Sequence, residues 1–209
     1  MQQFSKDNLH LLCDELAAKD AHLQSILNQY GYPPLWIRPN TFETLVLTIL
    51  EQQVSLASAY AAYKKLKEKI SKVTPQHLLT LTDDDLRSCY FSRQKIGYVR
   101  GLADALISRK LNLKKMETEE DEDVRKKLKK LKGIGDWTVD IYLLHALQRT
   151  DILPLGDLAL IKAVQMILQQ PCTKEEIQLK AESWRPFRSV ATMMLWHYYI
   201  RKKNIKVLH

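Results

Sequence analysis

The chain has 209 residues, 45% of them hydrophobic, enough apolar material for one large or two small packed domains. Its three cysteines, Cys13, Cys89 and Cys172, are odd in number and far apart, which excludes a disulfide framework and a four-cysteine zinc or iron-sulfur site. Lys and Arg number 32 against 24 Asp and Glu, a formal charge of +8 that suits a polyanionic partner without identifying one.

Residues 1–14 carry acids and a lysine but no apolar signal-peptide core, and no later run approaches the roughly 20 apolar residues of a membrane span. The expectation is a protein of the cytoplasm, with reduced thiols and no membrane association. Three-four periodicity runs through nearly every segment, as in Leu45, Ile49, Gln52 and Leu56 or Val139, Leu143 and Leu147, and no alternating β-branched pair flanks a hairpin turn. The pattern predicts an all-α protein of about nine or ten helices. Its breaks fall at Gly31-Tyr32-Pro33-Pro34, Pro39, Thr74-Pro75, Gly133, Pro154 and Pro171.

Taken in order, Thr41 is placed to cap a helix running through Leu56, and Thr82-Asp83-Asp84-Asp85 opens another with acids on the positive end of its dipole. The acids of Glu117–Asp123 precede the bases of Arg125–Lys130, again the order that the macrodipole favours. That run is equally a solvated helix or a surface that steers DNA.

It ends at Leu131-Lys132-Gly133-Ile134-Gly135-Asp136-Trp137-Thr138, where two glycines around one apolar residue describe a tight turn between helices. Glycine permits the dihedrals and the close backbone approach, while the unpaired N–H groups at the start of the second helix attract an anion. This is a phosphate cradle. Asp157, downstream in Leu155-Gly156-Asp157-Leu158, is a candidate for chemistry on the nucleic acid held there; alternatively it caps a helix over Leu158–Leu168. His145 lies in an apolar helix and reads as a hydrogen-bonded core or cleft-edge residue. No His or Cys spacing completes a metal site, and no nucleotide-binding glycine loop is present.

The run Leu128 to Lys162 resembles the helix-hairpin-helix, Gly/Pro-rich loop and aspartate signature of the base-excision DNA glycosylases, and within them the 3-methyladenine DNA glycosylase II type. Three further segments agree in order: Phe42 to Ser55, Lys95 to Ala103, and Trp184 to Trp196. The resemblance covers about residues 40 to 200, and implies the short form without an amino-terminal β domain. It implies a single module over 1–209 with two helical lobes, about 41–130 and 1–40 plus 131–209, and a substrate cleft between them.

The resemblance also implies roles. Asp157 matches the catalytic aspartate, which stabilises positive charge developing on the deoxyribose and orients or deprotonates the attacking water. Trp137 stands where strand-cutting relatives have a Schiff-base lysine; tryptophan has no amine, so a monofunctional hydrolase is implied. Trp137 and Trp196 match aromatic pocket walls, on which a cationic alkylated purine gains cation-π attraction. Ile141 falls where bacterial relatives have a further pocket aromatic, Gln52 on the pocket side, and Gln53 at the wedge that fills the gap left by a flipped nucleotide.

Gly133, Ile134, Gly135 and Thr138 match the DNA-binding hairpin. The carbonyls of Lys129, Leu131 and Ile134 match the ligands of a monovalent cation, Na+ or K+, and no organic cofactor is implied. Asp136 departs from the basic or neutral residue of relatives. Arg185 and Arg188 either contact DNA or brace the terminal helix.

The implied function is removal of alkylated purines, of the 3-methyladenine and 7-methylguanine class, from double-stranded DNA in base excision repair. The protein would act as a monomer located with the chromosome, in the nucleoid if bacterial. Alternatives are a glycosylase of the same fold for deaminated or oxidised bases, and a non-catalytic structure-specific DNA-binding protein.

Overall fold

The computed structural model describes residues 2–205. Among them the secondary structure is helical apart from one isolated bridge between Gln3 and Arg149, as the periodicity predicts. In chain order the helices are α1 (Leu9–Lys19), α2 (Ala21–Tyr30), α3 (Phe42–Glu51), α4 (Leu56–Lys69), α5 (Pro75–Thr80), α6 (Asp83–Ser88) and α7 (Arg93–Ile107), then α8 (Leu113–Met116), α9 (Asp121–Leu128), α10 (Asp136–His145), α11 (Leu158–Leu168), α12 (Lys174–Ala181) and α13 (Arg188–Lys202). The number exceeds the expectation because α5, α6 and α8 are one- or two-turn helices, too short to show a periodic signal. No helix among the described residues is long and apolar enough to cross a membrane.

The chain forms two compact units, one joining residues up to Ile37 with residues from Leu143 onward, the other spanning Arg38–Tyr142. The second boundary therefore falls inside α10, not at Leu131 as the resemblance implies. The hairpin belongs with the central unit because its contacts lie there. Tyr98 of α7 sits under Gly133, Gln52 bonds Gly133 and Thr138, and the Tyr142 hydroxyl donates to Asn40 Oδ1 at 2.6 Å.

The central unit is built on α3, whose Leu45, Val46 and Ile49 are fully buried and which packs against α4 and α7. Thr41 caps it, as its sequence position predicts. The helix does not reach Leu56, however. It stops at Glu51, Gln53 takes a left-handed φ of +56°, and Ser55 caps a new helix through the Ser58 N–H. Thr82 and Asp85 form a reciprocal capping box at α6, and α9 begins with Asp121, Glu122 and Asp123 and ends with Arg125, Lys126 and Lys127.

The terminal unit is organised around α13, in which every residue from Ser189 to Tyr198 is buried against α1, α2 and α11. A helix buried on all sides must satisfy its polar side chains internally. Ser189 accepts the Ile152 N–H at 2.9 Å, Thr192 donates to the Arg188 carbonyl at 2.8 Å, and His197 Nε2 lies 3.0 Å from the Tyr30 carbonyl. Arg185 and Arg188 both hold Asp151, so bracing of the last helix is the role their geometry shows.

Asp20 ties α2 to α12 and the turn after it. Its Oδ1 accepts the His22 and Leu23 amides, and its Oδ2 accepts Trp184 Nε1 at 2.8 Å and Lys180 Nζ at 2.9 Å. Burial alone would raise this carboxyl, but the Trp184 and Lys180 bonds outweigh it and hold its pKa below the ordinary 3.8. A depressed pKa in the folded state stabilises above the unfolded value, and that contribution is lost as pH falls through the folded one. Thermal melts across acidic pH should show the wild type losing stability below about 3.8. Asp20→Asn should be about 1–3 kcal/mol less stable at neutral pH and lose less on acidification.

Candidate nucleic-acid and catalytic residues

The hairpin is shaped by Gly133. Its φ is +87°, and a Cβ added there would stand 2.2 Å from Cγ of Tyr98, so both conformation and space require glycine. The Gln52 side chain fastens the turn from the other side, donating through Nε2 to the Gly133 carbonyl at 2.8 Å and to Thr138 Oγ1 at 2.9 Å. Gln52 thus braces the hairpin.

Thr138 and Ile134 are buried, at 2% and 5% exposure, so their side chains face inward and any contact with DNA falls to their main chain. Gly135 is exposed and has nothing within 4 Å on the side where a Cβ would stand. That open face is what a phosphate backbone needs in order to approach the amides that begin α10.

Charge around the turn is closely paired. Lys129 Nζ reaches both oxygens of Asp136 at 2.8 Å, and this bond holds the exposed Asp136 carboxyl below its ordinary range. Arg125 donates to Asp140 at 2.5 Å and to Asp136 at 3.2 Å. Asp140 is buried, and desolvation pushes it up to about 6 against the pull of Arg125. The ion pair therefore keeps a buried carboxylate charged at neutral pH.

From α7, Lys95 donates to the carbonyls of Leu50 and Gln52 at 2.7 and 3.0 Å, a cation on the negative end of α3. Burial lowers its pKa. It fixes the segment from which Gln53 projects, with Gln53 exposed beside Val54 and Leu56. Trp137 is half-buried at the second position of α10, and Ile141 is buried one turn later.

In the terminal unit, Asp157 caps α11, its Oδ1 accepting the Leu160 N–H at 2.8 Å. The helix spans Leu158–Leu168, so the capping alternative is correct as geometry. The same Oδ1 also accepts Trp196 Nε1 at 2.9 Å. Trp196, only 8% exposed, stacks on His145 with ring centroids 5.5 Å apart and planes 13° from parallel. His145 Nδ1 lies 2.6 Å from the Trp36 carbonyl. A half-buried carboxylate is thereby held by an indole that a stacked imidazole supports.

No group of three or more His, Cys, Asp or Glu able to hold a metal occurs among the described residues. Cys13 and Cys89 are buried free thiols, with Cys13 pushed up to about 12 by burial, while Cys172 is partly exposed.

The sequence singled out Asp157, Trp196 and the hairpin but gave no role to Lys95, Tyr98 or the Arg125–Asp140 pair. The hydrophobic pattern marks Tyr98 and Lys95 only as helix residues. Nothing local announces that one carries a glycine on its ring and the other caps a distant helix.

Residues 46–189 match the HhH-GPD superfamily of base excision DNA repair proteins, and the chain belongs to that family. It is 30% identical over 181 residues to a Bacillus subtilis DNA-3-methyladenine glycosylase, covering 80% of this chain and 59% of the relative. It is 29% identical over 161 residues to Schizosaccharomyces pombe DNA-3-methyladenine glycosylase 1, covering 74% and 71%. The chain thus spans about three fifths of the length of the Bacillus relative it matches. A solved structure of the S. pombe 3-methyladenine DNA glycosylase in complex with abasic DNA superposes with a TM-score of 0.84 at 25% identity, covering 95% of this chain and 99% of the other.

Gly133→Ala combines a left-handed alanine with an overlap on Tyr98, and urea unfolding should show a loss of about 2–4 kcal/mol. Gly135→Ala, with open space at its Cβ, should stay within about 0.5 kcal/mol of the wild type.

Proposed function

We propose that this chain is a monofunctional DNA glycosylase that removes alkylated purines, of the 3-methyladenine and 7-methylguanine class, from double-stranded DNA in base excision repair. The observation that carries this reading is the Asp157 carboxylate, fixed through one oxygen by the Leu160 amide and the Trp196 indole in a chain of the HhH-GPD family. Fixed donors spare the carboxylate reorientation while the reaction proceeds.

Departure of the base breaks the bond between C1′ and the ring nitrogen, and the electron pair leaves with the purine. Alkylation at N3 or N7 makes the purine cationic, so it departs neutral; an unmodified base is a poorer leaving group. The sugar acquires oxocarbenium character, which an ionised carboxylate stabilises, and a water oriented by Asp157 adds to C1′ and passes its proton to that carboxylate and from it to solvent. Selectivity then resides partly in leaving-group chemistry, and Trp137 and Trp196 are each assigned as an aromatic face for a cationic base, with Ile141 an apolar side chain one turn after Trp137.

The amides of Gly133, Gly135 and Thr138 grip a phosphate, the Ile134 N–H being already donated to the Leu131 carbonyl, and Gln53, with Val54 and Leu56 exposed beside it, fills the gap that flipping leaves. The carbonyls of Lys129, Leu131 and Ile134 are assigned to a monovalent cation. The Leu131 carbonyl already accepts the Ile134 N–H at 3.2 Å, and its second lone pair is compatible with a ligand role. We assign the protein to chromosomal DNA in the cytoplasm, as a monomer without an organic cofactor.

Incubation with methylated DNA, with released bases identified by mass spectrometry, should give 3-methyladenine and 7-methylguanine. Release of deaminated or oxidised bases instead would move the assignment to another lesion class. Asp157→Asn should lower base release at least 100-fold, the scale of a lost transition-state charge partner, while keeping affinity for an abasic-site analogue. Borohydride should trap no covalent adduct, since Trp137 offers no amine; a trapped adduct would falsify the monofunctional assignment.

A further inference from the structure

The hairpin is rich in cations, yet two of them are occupied. Lys129 makes both of its 2.8 Å contacts with Asp136, and Arg125 is shared between Asp136 and Asp140, with Glu122 at 3.8 Å from its Nε. Lys130 and Lys132 are exposed on either side of Leu131. Two carboxylates thus neutralise two cations beside the turn whose amides would receive a phosphate.

The two pairs differ in kind. Asp140 is buried and needs Arg125, which makes that pair structural. Asp136 and Lys129 have side chains 63% and 42% exposed, a setting in which an ion pair adds little stability. An exposed carboxylate directly after Gly135, with both oxygens on a lysine, has the charge and the hydrogen-bonding pattern of a phosphate in its place.

We propose that Asp136 is an internal stand-in for a DNA phosphate, occupying Lys129 and part of Arg125 and so setting how tightly, and with what salt dependence, the hairpin grips the duplex. This rests on the glycosylase reading above. Binding of a phosphate exchanges the Lys129–Asp136 contact for a Lys129–phosphate contact instead of adding a new one, and the carboxylate left behind repels the backbone. Both effects lower affinity for DNA of any sequence. They also shorten the residence of the abasic product, whose phosphates are the same as the substrate's.

The test is fluorescence anisotropy with a duplex carrying a tetrahydrofuran abasic analogue and with undamaged duplex, over a series of salt concentrations. The proteins are the wild type, Asp136→Asn, Asp136→Ser, Lys129→Gln and the Asp136→Asn/Lys129→Gln pair. Asp136→Ser keeps an oxygen at the helix start, so it guards against a folding defect of the amide.

Asp136→Asn and Asp136→Ser should bind about five- to tenfold tighter at 0.1 M salt, with the slope of log affinity against log salt steeper by about one. Lys129→Gln should change little in the wild type and erase the gain in Asp136→Asn. Unchanged or weaker binding by both Asp136 variants overturns the proposal, as does an equal loss from Lys129→Gln in the two backgrounds. Base release by the wild type in the same preparations tests the glycosylase reading separately, since its absence would remove that reading whatever the hairpin variants do.

Discussion

One oxygen of one carboxylate carries two jobs in the terminal unit. Asp157 Oδ1 receives the Leu160 amide, which starts α11 in a fixed direction, and the Trp196 indole N–H, which joins α11 to the buried helix α13. Capping and the chemistry proposed for Asp157 do not compete. A cap needs an acceptor held still at a helix start, and electrostatic catalysis needs a carboxylate held still near developing charge. The stack of His145 on Trp196, anchored on the Trp36 carbonyl, extends the same restraint outward.

The central unit restrains main chain more than a side chain. Gly133 on the Tyr98 ring, Gln52 on Gly133 and Thr138, and Lys95 on the carbonyls ending α3 all fix backbone at two turns. Recognition of a phosphate by amides is only as accurate as the turn that presents them, so this support serves the same end as the cap on Asp157. Two of the residues expected to meet DNA, Ile134 and Thr138, contribute by burying their side chains.

Burial separates ion pairs of similar appearance. Arg125–Asp140 is enclosed and removing one partner strands a charge, whereas Lys129–Asp136 is solvated and its weight lies in what it withholds from a ligand. Of the two readings of the charge run, the structure shows the dipole-matched helix. α9 has the dipole-matched order of acids and bases, and its Arg125, with Lys129 beyond its last turn, is drawn into the hairpin's own carboxylates.

Local physical chemistry made much of this protein legible in sequence. Helical periodicity specified the all-α class, Thr41 and the Thr82 group marked helix starts, and Gly133 marked a tight turn and Asp157 a helix cap, because each depends on neighbours in the chain. What tertiary structure alone decided depends on partners far apart in sequence. The break at Gln52–Ser55 interrupts an unbroken apolar pattern, and the Lys95 ammonium and the Gln52 amide are spent on backbone that periodicity does not bring near them. The hairpin joins the central unit because Tyr98 and Asn40 receive it there. Patterning records which face of a helix is apolar, but a hydrogen bond or ring contact is fixed only once two faces have met.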